Sequence, residues 1–143
     1  AAAALFAGVV LGGVGATVVW SGTAEPAMVL PLSPGEGFDV EGRVAFTETR
    51  AGLSVDLDLR GLPPLPAPGV YEAWVGMPDA DGPVSIGRLD PDPGGQTATT
   101  LVAGGALEDY ASIWVTAEPD ARDPAHDGPT VASARLPSGA RTD

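Results

Sequence analysis

The sequence predicts a mainly β protein: an antiparallel β-sandwich of seven to eight short strands, preceded by one transmembrane α-helix. Three observations predict it. Twenty glycines and fifteen prolines among 143 residues are too many helix breakers for an α-protein, and they suit short strands joined by turns. Apolar residues alternate with period two in segments that recur at nearly regular spacing between Gly, Pro and Asp clusters. Residues 1–20 carry no charged side chain, and every charge in the chain falls from Glu25 onward.

Residues 1–20 are long enough, at a helical rise, to span a hydrocarbon core, and Trp20 falls where an interfacial aromatic sits. Ala4, Gly8, Gly12 and Ala16 recur every four residues, a small-residue stripe that permits close helix packing. A cleaved signal peptide is the rival reading. A basic leading region is missing, however, and the apolar run exceeds that of a usual signal peptide. Ala1 is not a methionine, so the stretch reads as a piece of a longer chain. Residues 21–26 form a juxtamembrane linker, residues 27–137 the β-domain and residues 138–143 a frayed tail.

Within the β-domain, residues 27–32 read as an edge strand because Pro31 lacks a ladder donor. Phe38, Val40, Val44 and Phe46 alternate with polar residues, with Gly42 as a bulge. Leu53, Val55, Leu57 and Leu59 alternate with Ser54, Asp56, Asp58 and Arg60, the clearest one-face-buried strand in the chain. Arg50, Ala51 and Gly52 join these two as a hairpin. A Pro-rich run, residues 62–68, then leads into residues 69–77, where Val70, Tyr71, Trp74, Val75 and Met77 place bulk on both faces of an interior strand. Its hairpin partner is residues 84–89. Residues 97–102 form a threonine-rich strand and residues 106–110 a single helical turn. Residues 111–117 are a second Trp-Val strand, and residues 130–136 the last strand. Trp74 and Trp114 are expected to pack inward as sandwich core.

Nineteen acids oppose seven arginines, and lysine is absent. Phosphate recognition needs a basic footprint, so nucleic acid is not an expected partner. The absence of cysteine excludes disulfides and thiolate chemistry.

The ordered segments Leu57-Asp58-Leu59-Arg60-Gly61-Leu62-Pro63-Pro64, Gly69-Val70-Tyr71-Glu72-Ala73-Trp74-Val75 and Val84-Ser85-Ile86-Gly87 together resemble the C-terminal domain of RskA-type anti-sigma-K factors. Val115-Thr116-Ala117-Glu118-Pro119, followed by Gly128-Pro129-Thr130-Val131, is similar to that family's Glu-Pro plus Pro-Thr-Gly signature. The likeness covers about residues 53–136, and an apolar span just before the domain also fits it. Its signature positions here are Tyr71, Trp74, Gly87, Trp114, Glu118, Pro119, Pro129 and Thr130. The family's small-residue run after Glu-Pro is replaced by residues 120–127, which are polar and carry His126. The family's cytoplasmic helical domain, which grips the sigma factor and often carries a zinc-binding motif, has no counterpart in these residues. The resemblance therefore assigns this stretch the membrane anchor and the extracytoplasmic sensor half, a target of regulated proteolysis.

Catalytic readings find little support. His126 lies near Asp123 and Asp127, but no nucleophile elbow accompanies it, and a solvated loop histidine explains it better. The pairs Asp56/Asp58, Asp79/Asp81 and Asp90/Asp92 fall on a wet strand face or in turns, where capping and solubility are the simpler roles. Asp79, Asp81 and Asp90 echo a calcium loop, but its glycine comes at the fourth position instead of the sixth. The expectation is a non-enzymatic, single-pass cell-membrane protein with an extracytoplasmic C-terminal domain and no cofactor. Its partners are a protease and, through a cytoplasmic domain, a sigma factor. The alternative is an accessory subunit of a larger membrane complex, with the Ala4 to Ala16 stripe against partner helices. A soluble secreted binding domain is a third reading.

Overall fold

The structure, a computed structural model, describes residues 25–123 and 128–137. The expected membrane helix with Ala4, Gly8, Gly12 and Ala16, the loop position His126, and the tail at 138–143 lie outside the described residues. Among the described residues, no helix is long and apolar enough to cross a membrane.

Eight strands follow in order: β1 (Met28–Pro34), β2 (Glu41–Thr49), β3 (Gly52–Arg60), β4 (Val70–Gly76), β5 (Val84–Leu89), β6 (Thr97–Ala103), β7 (Ser112–Glu118) and β8 (Thr130–Arg135). A 3-10 turn at Leu107–Asp109, where the helical turn was expected, precedes β7. The Asp109 carboxylate accepts the Ala106 N–H there at 2.9 Å. All pairings are antiparallel, and the order across the sheet is β5-β4-β7-β8-β1-β2-β3-β6. The mainly β, antiparallel expectation holds. The two separate sheets of a sandwich are replaced by one sheet that curls until β5 and β6 meet, a nearly closed barrel.

Strand β1 is what joins the halves. Residues 28–32 pair with β2, and Ser33 and Pro34 pair with β8 opposite Ser133 and Ala132. The expected edge strand is therefore interior. It tolerates Pro31 and Pro34 because each half of the strand ladders on one side only, so no residue has to serve two ladders. The opposite seam, between β5 and β6, has no ladder. Side chains fill it, and the Leu101 Cδ2 atom lies 2.9 Å from where a Cβ on Gly87 would stand. Gly87 also has a φ of +142°, which side chains with a Cβ rarely adopt.

The hairpin of β2 and β3 forms as its pattern predicts, closed by the Thr49 hydroxyl, which donates to the Gly52 carbonyl at 2.9 Å. Gly42 is not a bulge. It stays in register with Leu59, and a Cβ there would stand 2.3 Å from the Asp58 carbonyl oxygen, so the residue serves close approach. The register shifts fall elsewhere, opposite Ala73/Trp74 and Val115/Thr116. The inward face gathers Val44, Phe46, Leu53, Val55, Leu57, Leu59, Tyr71, Val75, Ile113, Val115 and Val131 into one core. Side chains can fill the interior of an eight-stranded barrel, and this buried set occupies it here.

Candidate functional site

Inward residues on β4 are Tyr71, Ala73 and Val75, and on β7 they are Ile113, Val115 and Ala117. Period two then forces the intervening side chains outward. Trp74 and Trp114, directly opposite in register, both lie on the outer face of the sheet and not in the core where the sequence placed them. Their fates differ. Trp74 is only 6% exposed, whereas Trp114 is half-buried. The barrel interior is already occupied by Tyr71 and the aliphatics. Outside, Gly76 and Thr116 leave room for the indoles. The Trp114 ring passes over Gly76, where a Cβ would come within 3.2 Å of Cζ3.

The outer face carries a buried polar relay. The Trp74 Nε1–H donates to the Thr116 Oγ1 at 2.9 Å, and the Thr116 hydroxyl donates to the Glu118 Oε1 at 2.5 Å. The Gly128 N–H donates to the Glu118 Oε2 at 3.1 Å. Thr116 and Glu118 are 2% and 3% exposed, so these bonds are made with little water to compete. The carboxylate thereby ties the far end of the connection between β7 and β8 back to the last residue of β7. Nearby, the Ala117 N–H donates to the Pro129 carbonyl at 3.0 Å. The near end is pinned too: Arg88 donates to the Ala121 carbonyl, and the Ala121 N–H donates to the Pro68 carbonyl at 3.1 Å. Arg122 bonds the Asp120 carboxylate and holds its pKa below the ordinary value.

Most of the signature residues converge here. Trp74, Trp114, Glu118 and Thr130 share the β4-β7-β8 region, while Pro119 and Pro129 flank the pinned connection and are exposed. Tyr71 and Gly87 face the interior instead. The Tyr71 hydroxyl donates to the Pro63 carbonyl, fastening the Pro-rich run, with its cis Ala67-Pro68 bond, to β4. Burial pushes the Tyr71 pKa up from 10.0. Thr116, Gly76 and Gly128 carry the geometry although none is among the eight signature positions. Period two alone puts Thr116 on the Trp114 side of β7, but the cross-strand register that brings it to Trp74 is not in the local sequence.

The arrangement is a clasp. Asp56 accepts the Thr100 hydroxyl at 2.5 Å across two strands, and Asp92 accepts the Gly94 and Gln96 N–H groups at 2.9 and 3.0 Å in a turn. Asp79 and Asp81 are exposed in the β4–β5 turn. Among the described residues, no group of three or more acidic or histidine side chains is placed to hold a metal ion.

A family model described as "Anti-sigma-K factor rskA, C-terminal" matches residues 1–133. That match extends beyond the resemblance read from residues 53–136, taking in the apolar first twenty residues and strands β1 and β2. None of the curated proteins matches the chain.

Proposed function

The chain belongs to the RskA C-terminal family of anti-sigma-K factors, and we propose that its β-domain is the extracytoplasmic regulatory half of such a factor. Residues 1–20 hold it at the membrane, and it acts through protein contacts and regulated proteolysis, not catalysis. The observation that carries this reading is the continuity of the family match from the uncharged leading stretch through β1–β7 and into β8, over residues 1–133.

The fold supplies a physical route for the regulation. Only a few residues separate Trp20 from Met28, where β1 begins, and β1 is the strand that fastens the two halves of the sheet. A protease must take its substrate in extended, unpaired form, so cutting within the segment from Ala27 through β1 requires that segment to leave β2. The free energy of that opening lies between near zero and the stability of the whole barrel, and signals that loosen the barrel raise the cleavable population.

The test is a reporter fused upstream of Ala1 and expressed in bacterial membranes. The β-domain should be accessible to added protease from outside the cell. Leu57→Ala, a cut into the 1%-exposed core, should raise reporter release several-fold. An unchanged release rate with a demonstrably destabilised barrel would refute the proteolytic mechanism. Stoichiometric recovery with a large membrane complex would point to the accessory-subunit role instead.

A further inference from the structure

The geometry points to a saccharide-binding site on the outer face of β7 and β8, selective for sugars that carry a carboxylate. The inference concerns only this face and does not depend on the regulatory reading. The Trp114 ring leans toward β4 because Gly76 leaves it space, with the Gly76 Cβ position 3.2 Å from Cζ3. On its other side the opposite residue of β8 is only Ser133, and the missing bulk leaves an open groove of about 410 Å³. That volume falls in the lower range of small-molecule sites.

The groove's polar groups are three hydroxyls, which both donate and accept, and two donor-only groups, an indole N–H and a guanidinium. Ser112, Thr130, Ser133 and Arg135 line it with Trp114, and no carboxylate does. Among the described residues, none hydrogen-bonds the Trp114 indole N–H, the three hydroxyls or the Arg135 guanidinium. Arg135 sits opposite Ser112, and Ser133 sits opposite Trp114, so these donors surround one half-buried aromatic. Arg135, an exposed residue, is the groove's one charged side chain, and with no carboxylate lining the groove beside it, it can take one anionic group.

The occupant follows from these features. A pyranose presents an apolar C–H face to an indole and hydroxyl acceptors at its rim, and a carboxylate satisfies the guanidinium. A peptide is disfavoured. β7 lies between β4 and β8, and β8 between β7 and β1, so neither offers the groove a long free edge for strand addition. A fatty chain is disfavoured because hydroxyls interrupt the apolar surface.

The experiment titrates the full chain, held in a zwitterionic detergent without sugar headgroups, with trigalacturonate and separately with maltotriose. The readout is the indole N–H resonances of the three tryptophans. A saturable shift confined to Trp114, with a Kd of about 1 mM for the acidic sugar and about tenfold weaker binding of maltotriose, is the expected result. Arg135→Gln should weaken trigalacturonate binding about tenfold and leave the Trp114 resonance of the free protein in place. Gly76→Val, whose Cβ would meet the Ser112 Oγ at 2.7 Å and the Trp114 ring at 3.2 Å, displaces both groove side chains without removing either and should abolish the shift. No saturable shift with either sugar, equal affinity for both, or unaltered binding in Arg135→Gln would each overturn the assignment.

Discussion

Replacing Glu118 with alanine should be among the most damaging single changes at the outer face, although it removes no core hydrophobe. The side chain accepts the Thr116 hydroxyl at 2.5 Å and the Gly128 N–H at 3.1 Å while only 3% exposed. Truncation leaves the O–H donor of a 2%-exposed hydroxyl without its acceptor, worth about 2 kcal/mol, although its oxygen still accepts from Trp74. It also frees a backbone N–H that water can partly satisfy, worth about 1 kcal/mol. The total is about 3 kcal/mol, or about 2 M in urea midpoint for an m-value of about 1.5 kcal/mol/M. Glu118→Gln keeps one acceptor oxygen and should lose only about 1 kcal/mol. Thr116→Val breaks the same relay from its middle, so the double variant should be less damaged than the sum of the singles. Urea unfolding followed by tryptophan fluorescence gives the midpoints, and amide exchange at Gly128 reports whether the connection between β7 and β8 loosens. The reasoning fails if Glu118→Ala lies within about 0.5 kcal/mol of the parent or if the glutamine variant is as damaged as the alanine one.

Two further outcomes follow from the barrel's seams and buried phenols. Gly87→Val should destabilise by about 2 kcal/mol, because valine is strained at a φ of +142° and its Cβ meets Leu101 at 2.9 Å. A parent-like urea midpoint would mean that β5 and β6 are not held together as described. The Tyr71 and Tyr110 hydroxyls donate to the Pro63 and Gly104 carbonyls, and burial raises both pKa values above 10.0, with the Asp109 charge adding to the rise at Tyr110. Because the folded state favours the neutral phenol, this contribution is fully present below the unfolded pKa of about 10 and is lost as pH climbs through the raised folded values. Urea midpoints should therefore be flat near about pH 9 and fall toward about pH 11. Tyr71→Phe should shrink that fall, and an identical alkaline profile in the variant would count against the Tyr71 contact.

Much of the strand and turn layout was legible in the sequence, which led to a sandwich and not to a barrel. The alternation from Leu53 to Leu59 fixed β3's buried face, the Arg50-Ala51-Gly52 turn fixed its partner, and the Asp/Gly/Pro cluster after Met77 fixed the β4–β5 hairpin, since each depends on neighbours within a few residues. The segments from Leu57 to Val131 also carried the family resemblance. Three features were not legible, because each depends on partners distant in sequence. Pro31 marks an edge only if a strand keeps the same neighbours throughout, and β1 changes partners at Ser33. Bulk on both faces of β4 does not say which face is inward. That is decided by a barrel interior whose volume Tyr71, Val75 and Ile113 already use, which sends both tryptophans outside. The clasp on Glu118 needs Trp74, Thr116 and Gly128, which only the antiparallel register of β4, β7 and β8 brings together. Local pattern thus determined the strands and the turns between them, and long-range pairing within a closed volume decided which side chains face water, because a period of two offers two faces and only packing chooses between them.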